Sequence, residues 1–142
     1  FDANPDSISD KLLHRLRAEG FNRVSLGIQC DDDEILRKIG RPHTYSQAVL
    51  AVERIRKAGF RNVSVDLMYG LPHQTLATFE EALRRVVSLS PEHISVYGLI
   101  IEEGTPFAKM SLPPLPSEEE DRAMYHFTGS FLQSHRHLPS TF

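Results

Sequence analysis

The sequence predicts an α/β fold, namely an incomplete (β/α) barrel segment with parallel strands. Helix-like stretches are each followed by a short β-branched run. These runs cover residues 22–29, 62–69 and 93–100. The unit also repeats, because the segment 17–26 returns as 56–65 and places Val24 and Val63 at equivalent positions 39 residues apart. Alternating helices and strands imply parallel strands joined by right-handed crossovers.

The two faces of the predicted strands differ in polarity, which favours a barrel over an open sheet. A parallel strand that is buried on both faces reads as continuous apolar sequence. Here one face is apolar and the other is mostly small or polar, as expected of a barrel whose lumen holds a ligand. An open doubly wound sheet is the alternative. The apolar face carries Val24, Leu26, Ile28, Val63, Val65, Leu67, Ile94 and Val96, and the other carries Ser25, Gly27, Gln29, Ser64, Asp66, Met68, Ser95, Tyr97 and Leu99.

Each predicted helix has apolar residues at helical spacing and a polar residue that caps its first turn. The first helix ends at Gly20 and the second at Gly59, because glycine commonly ends a helix. A third helix ends near Pro91, and a fourth follows it later in the chain. The predicted caps are Ser7 with Asp10, Thr44 with Gln47, Thr75, and Ser117 with Glu120.

The chain divides into a barrel segment over residues 1–112 and a terminal part over residues 113–142. The boundary is the stiff spacer Pro113-Pro114-Leu115-Pro116, which precedes the last helix. After residue 134 the sequence has no periodicity, so an ordered element is not expected there.

Composition excludes several classes of protein. The 16 Lys and Arg residues against 19 Asp and Glu give a net charge of −3, whereas a nucleic-acid surface needs clustered positive charge. The longest apolar run is the eight residues Ile94 to Ile101, interrupted by Ser95 and Gly98, so no segment is long enough to span a bilayer. A single cysteine, Cys30, cannot supply a disulfide framework, a structural zinc site or an iron–sulfur cluster. We expect a cytoplasmic protein with no membrane span and no nucleic-acid partner.

Several polar side chains stand where ligand-binding groups collect in such folds, at the carboxyl ends of strands and in the loops that follow. Asp66 is a carboxylate in an apolar strand, where its charge is costly unless it binds a ligand or pairs with an arginine such as Arg41. Gln29 ends a strand and either contacts a ligand or caps the next turn. Arg41 is either an inward anion-binding group or a surface arginine. Tyr97 also lies at such an end, and Asp2 lies where a preceding strand would end.

Three other features receive a structural interpretation. The run Asp31-Asp32-Asp33 is the acidic first turn of a short helix rather than a metal cluster, because negative charge suits a helix amino terminus. Cys30 has no evident histidine partner and is expected to be a passive buried thiol. The seven histidines form no ligand pattern, and we expect each of them to be exposed or solvated.

Five strings of residues together carry a family resemblance over roughly residues 1 to 130. The strings are Asp2-Ala3-Asn4-Pro5, 22–29, 36–43 (which ends in Gly40-Arg41-Pro42-His43), 65–75 and 91–97. They resemble the radical S-adenosylmethionine (SAM) family that includes oxygen-independent coproporphyrinogen III oxidase, and they are specific jointly rather than singly. Within that family, the strings at 40–43 and 102–107 are closer to the HemW-type haem chaperone branch than to the oxidase.

The resemblance implies a radical SAM partial TIM-type barrel with SAM in its lumen and a [4Fe-4S] cluster in the parent protein. Reductive cleavage of SAM would give a 5′-deoxyadenosyl radical, which in the oxidase branch drives decarboxylation of porphyrinogen propionates. The chaperone branch binds and delivers haem. The family's cofactor-contacting positions fall on Asp2, Gln29, Arg41, Asp66 and Ile100.

The sequence also departs from the family pattern. The family usually has glutamate where Asp2 stands, and the family's CxxxCxxC cluster motif, expected upstream of Phe1, is absent from this sequence. We therefore expect a fragment of a radical SAM protein of haem metabolism. It contributes SAM-binding residues, needs the remainder of the parent barrel, and is inactive alone. A true coproporphyrinogen III oxidase and, more weakly, an unrelated phosphate-binding barrel enzyme are the alternatives.

Overall fold

The computed structural model describes residues 1–99, 115–135 and 139–141. In these ranges no helix is long and apolar enough to cross a membrane. Strands and helices alternate along most of the chain. The strands are β1 (Asp2–Ala3), β2 (Arg23–Gln29), β3 (Asn62–Tyr69), β4 (His93–Gly98) and β5 (Ser140–Thr141), and the helices are α1 (Asp10–Ala18), α2 (Asp33–Lys38), α3 (Tyr45–Lys57), α4 (Leu76–Val87) and α5 (Glu118–Ser134), with a 3₁₀ turn at Pro5–Ser7.

The strands lie side by side in sequence order from β1 to β5, and all of these pairs are parallel. In a doubly wound sheet the order reverses at a switch point and helices cover both faces. Here each crossover leads to the next neighbour, and α1, α3, α4 and α5 share one apolar core with a single face of the sheet. The predicted (β/α) barrel segment is therefore confirmed, and the doubly wound alternative is wrong.

The apolar face of the strands forms the centre of the core. Its side chains are fully or almost fully buried against the helices, whereas the opposite, concave face carries the small and polar residues. The buried strand residues are Val24, Leu26, Ile28, Val63, Val65, Leu67, Ile94 and Val96. The period-two alternation of β-strands therefore divides the core from the concave face.

A charged clasp, formed by Arg56 and Glu92, holds α3 and β4 together at the amino end of the strands. Arg56 donates to the two Glu92 carboxylate oxygens at 2.5 and 3.0 Å and to the Ser90 carbonyl at 2.7 Å. The Val63 N–H donates to Glu92 at 2.9 Å. Burial alone would raise the pKa of Glu92, but the hydrogen bonds from Arg56 and Val63 lower it below its ordinary value. The clasp thus joins α3 and the start of β3 to the start of β4, and Glu92 remains ionised.

Three helices begin at their predicted caps, and α1 does not. The confirmed caps are Thr44, Thr75 and Ser117. For α1 the cap is Ser9, whose side chain accepts from the Leu12 N–H at 3.1 Å. Ser7 is the wrong residue because Pro5 starts a 3₁₀ turn that includes it, and its hydroxyl donates back to the Asn4 carbonyl at 2.8 Å.

Two strand boundaries differ from the prediction. β4 ends at Gly98 rather than continuing to residue 100. β5 pairs with β4 although no ordered element is expected after residue 134. Two residues are too few to show a periodic pattern, so only the pairing reveals this strand. The division into residues 1–112 and 113–142 stays a prediction.

The core assignment can be tested with one buried and one exposed leucine. Leu26→Ala should lower the free energy of unfolding by about 2–5 kcal/mol, because Leu26 is fully buried against the helices. Leu50→Ala should change it by less than about 0.5 kcal/mol, because Leu50 is half exposed on α3. Urea unfolding followed by circular dichroism measures both, and equal losses would contradict the assignment.

Candidate functional site

A hollow on the concave face brings together residues from β1, β2 and β3. Its volume of about 380 Å³ lies within the range of about 300–1,000 Å³ that is common for small-molecule sites. It is lined by Asp2, Ala3, Asn4, Ser7, Ser25, Gly27, Gln29 and Asp66. Three of the predicted site residues, Asp2, Gln29 and Asp66, therefore surround one space on the face opposite the helices.

Gln29 ends β2 in a strained turn. Its φ of 68° lies in the left-handed region, which costs a non-glycine residue about 1–3 kcal/mol. The Cys30 N–H donates to the Ile28 carbonyl at 2.8 Å, which is the hydrogen bond of a γ-turn centred on Gln29. The register between β2 and β3 shifts at the same place, between Gly27 and Gln29. Gln29 is only 4% exposed, so this turn sets the direction of a buried amide.

Tyr97 on β4 holds the Gln29 side chain from the far side of β3. Its hydroxyl donates to Gln29 Oε1 at 2.7 Å. Burial raises the pKa of Tyr97 above its ordinary value. The hydrogen bond with Gln29 and the Arg41 charge act against this shift, and the Asp66 charge adds to it. Tyr97 therefore keeps its proton at neutral pH, and the Gln29 amide offers its N–H donors to a ligand. The sequence places Tyr97 on the polar face, but its role becomes visible only from this contact.

Asp66 is a partly buried carboxylate that forms no ion pair within the described part of the chain. Burial raises its pKa and the neighbouring Asp2 charge raises it further, while His93 and Arg23 act in the opposite direction. The alternative in which Arg41 neutralises Asp66 is therefore wrong. A carboxylate without a paired cation is suited to bind a cation or hydroxyl groups.

Arg41 lies near this site without lining the hollow. It follows Gly40, whose φ of 78° is typical of a helix stop, and its charge acts on Tyr97. The hollow itself is lined by other residues. Ile100, the remaining predicted site residue, falls outside the described residues. The structure thus gathers three predicted positions around the hollow and leaves Arg41 at its periphery.

Gly27 and Asn4 complete the hollow. A Cβ atom at Gly27 would lie 3.0 Å from Gln29 Nε2 and 3.6 Å from Asn4 Oδ1, so glycine leaves room for the Gln29 amide to lie across β2. The Asn4 side chain makes no capping hydrogen bond to the 3₁₀ turn that follows it. Sequence reasoning missed Asn4 because it reads as a turn residue before proline, and only the pairing of β1 with β2 brings it here.

The acidic run before α2 has a structural role, as predicted. Asp32 caps α2 by accepting from two of its backbone N–H groups, and Asp33 accepts from the Tyr45 N–H at 2.8 Å. Asp31 pairs with Arg85 at 3.0 Å. Among the residues that the structure describes, no group of three or more His, Cys, Asp or Glu side chains could hold a metal ion.

Two buried side chains lie next to the Gln29 turn, and one of them departs from the prediction. Cys30 is 1% exposed, and burial raises the pKa of its thiol to about 12. The passive buried thiol is therefore confirmed. His43, expected to be exposed or solvated, is instead 2% exposed, and its Nε2 lies 3.0 Å from the Ile28 carbonyl oxygen, which takes the place of a water partner.

The fold defines a barrel segment with a polar hollow on its concave face, and comparison with known proteins shows which superfamily it belongs to. The profile of the radical SAM superfamily matches residues 1–86, which is more than half of the chain. The chain therefore belongs to the radical SAM superfamily, and the resemblance seen in its sequence is confirmed.

Two relatives within this superfamily are similar to the chain over most of its length. Haem chaperone HemW of Bacillus subtilis is 41% identical over 140 residues, which cover 94% of this chain and 36% of the relative. The oxygen-independent coproporphyrinogen III oxidase of Synechocystis is 40% identical over 96 residues, which cover 68% of this chain and 21% of the relative.

A solved structure shows the same relation. Coproporphyrinogen III oxidase (HemN) from Escherichia coli, described as a radical SAM enzyme, matches with a TM-score of 0.83 and 32% identity over 94% of this chain and 31% of that protein. The chain thus spans about a third of HemN, as it does of the Bacillus subtilis HemW.

The raised pKa of Asp66 predicts a pH-dependent cost in stability. As pH rises past the ordinary range for aspartate, the unfolded chain ionises while the folded site retains its proton, so wild-type stability falls until the folded pKa is passed. Asp66→Asn should therefore melt at a higher temperature than wild type at pH 7, without added ligand, and the difference should vanish at acidic pH.

Thermal melting of the full-length protein across a pH series measures this difference. Asp6→Asn provides the control, because Asp6 is an exposed carboxylate in the 3₁₀ turn. A pH-independent difference between Asp66→Asn and wild type would show that burial of the charge is not its cause.

Proposed function

We propose that the hollow binds SAM and that the chain forms part of the cofactor-binding wall of a radical SAM barrel. The observation that carries this proposal is the convergence of two carboxylates, Asp2 and Asp66, and one held amide, Gln29, on a single hollow. When SAM is bound beside a reducing cluster, it supplies the radical that gives this superfamily its name. The chain's own residues bind and orient it.

The charge of the hollow supports a cationic ligand. The Asp2 charge raises the pKa of Asp66, which reflects the repulsion between the two carboxylates. A sulfonium or ammonium group placed beside them would relieve that repulsion. A phosphate would add negative charge, and the sequence lacks a glycine-rich phosphate loop. These properties favour SAM over the ligand of a phosphate-binding barrel enzyme.

Each predicted contact has its own chemical role in the proposal. Asp2 and Asp66 accept hydrogen bonds from the ribose hydroxyls or the methionyl ammonium. Gln29 donates through its N–H groups because Tyr97 occupies its oxygen. Arg41 pairs with the methionyl carboxylate. Ile100 is kept as a backbone contact on the strength of the family resemblance.

The iron–sulfur cluster must come from outside this sequence. Such clusters are held by several cysteine thiolates, and the chain contains one cysteine. That residue is buried, and one thiolate is too few to hold a cluster. The function assigned to the chain is therefore binding and orientation of SAM, which the remainder of the barrel must complete.

For the whole protein we propose a cytoplasmic haem chaperone of the HemW type, with haem as a further ligand. The extent of the sequence alignments supports this choice. The HemW of Bacillus subtilis aligns with 94% of the chain, whereas the Synechocystis oxidase aligns with 68%.

Coproporphyrinogen III oxidase is the second candidate. It is supported by the HemN match, with a TM-score of 0.83, and by 40% identity to the Synechocystis oxidase. The two candidates share the proposed SAM hollow and differ in the reaction that follows cofactor binding.

Removal of single hollow residues should weaken SAM binding. Gln29→Ala and Asp66→Asn should each lower the affinity for SAM about tenfold or more, because a hydrogen bond that involves a charged group contributes about 1.5–3 kcal/mol. Wild-type affinity should fall as pH is lowered through the raised pKa of Asp66, and the Asp66→Asn variant should lose this dependence.

Anaerobic titration calorimetry on the gene-encoded protein, with its cluster reconstituted, measures these affinities. Glu53→Gln serves as the control because Glu53 is exposed on α3. A wild-type protein that does not bind SAM would refute the proposal. So would wild-type affinity in both hollow variants.

The chaperone and oxidase candidates predict different products. We expect the gene-encoded protein to bind haem in a saturable titration followed by its visible absorption, and to leave coproporphyrinogen III propionates intact in the presence of SAM and a reductant. Mass spectrometry detects each decarboxylation as the loss of CO₂. Turnover of coproporphyrinogen III without haem binding would favour the oxidase.

A further inference from the structure

We infer that His43 is a positioning residue that fixes the direction of the Gln29 amide through the Ile28 carbonyl. The inference rests on the proposed SAM site, because Gln29 is one of its contacts. His43 does not line the hollow itself. It acts from behind the strand, on the backbone of the turn that Gln29 occupies.

The contact between His43 and Ile28 is buried and has one possible direction. His43 Nε2 lies 3.0 Å from the Ile28 carbonyl oxygen, and His43 is 2% exposed. Because a carbonyl oxygen can only accept, Nε2 carries the proton and donates. His43 Nδ1 is also buried and has no hydrogen-bond partner among the described residues. The geometry therefore defines the neutral Nε2–H tautomer.

The Ile28 carbonyl is the point at which the Gln29 turn is held. It accepts from the Cys30 N–H at 2.8 Å within the turn and from His43 outside it. The turn needs this support because Gln29 has a φ of 68° and lies where the β2–β3 register shifts. Loss of the His43 donor would remove a hydrogen bond from this buried carbonyl and leave the intraturn bond less supported.

Hydrogen bonds fix the backbone on either side of His43, and therefore fix the position from which its ring donates. The Arg41 N–H donates to the Leu36 carbonyl at 2.9 Å, and Thr44 opens α3 with a capping box. His43 therefore connects the loop that carries Arg41 to the turn that carries Gln29. These are two of the five proposed cofactor contacts.

Two substitutions separate donation from simple packing. His43→Gln keeps an N–H donor at a reach similar to that of Nε2, whereas His43→Met fills a similar length without a donor. We expect His43→Met to weaken SAM binding by up to about tenfold, the factor that corresponds to one lost hydrogen bond. His43→Gln should restore affinity to within about threefold of wild type, because it replaces that hydrogen bond. His14→Met is the control, because His14 is exposed on α1.

NMR of the Gln29 side-chain amide measures directly whether His43 fixes its direction. With ¹⁵N-labelled glutamine in the gene-encoded protein, the Gln29 amide resonances should move in His43→Met and stay near their wild-type positions in His43→Gln. Wild-type affinity and unmoved Gln29 resonances in His43→Met would overturn the inference. If wild type binds no SAM, the proposed function fails instead, and the resonances still decide the role of His43.

A measurement on wild type covers the case in which His43→Met does not fold. Long-range ¹H–¹⁵N correlation spectra of histidine-labelled protein identify the tautomer of each ring. A protonated Nε2 with a slowly exchanging hydrogen is expected for His43. A proton on Nδ1 alone would overturn the inference without any substitution.

Discussion

The parallel pairing of β2 with β3 is the contact on which the rest of the structure depends. In this pair Leu26 lies beside Val65 in the core, and Gly27 lies beside Asp66 on the concave face. A slip of β3 by one residue would turn its fully buried Leu67 towards the hollow and Asp66 towards the helices, and both changes are costly. The position of Asp66 is therefore set by packing on the opposite face of the sheet.

The end of β2 departs from this regular pattern, and the departure places Gln29. The register shift and the positive φ of Gln29 end the regular pleat of β2. A second apolar cluster packs around this end of the sheet and consists of Cys30, Ile35, Leu36, Ile39, Met68 and Leu71. Tyr97 then holds the amide oxygen from two strands away. Unfavourable backbone geometry thus persists because surrounding contacts determine it, which is common at ligand-binding sites.

Local signals predicted most of the fold, and long-range contacts account for what they missed. The Thr44 cap and the strand alternation are readable within a few residues, so the helices, the sheet faces and Asp66 could be placed from the sequence. Ser7 failed because an adjacent 3₁₀ turn competes for it. The partner of Tyr97 is 68 residues away in the sequence and the partner of His43 is 15 residues away. Patterns of helix and strand spacing extend over only a few residues, so they could not predict either contact.

The Arg56–Glu92 clasp and the hollow make use of opposite ends of neighbouring strands. The clasp secures α3, β3 and β4 where the strands begin, while Gln29, Tyr97 and the loops that follow the strands lie where they end. Under the proposed function, stabilisation at the amino end and ligand contact near the carboxyl end therefore depend on different side chains of the same strands. A loop exchanged at the carboxyl end would then change ligand selectivity without removing the charged pair at the amino end.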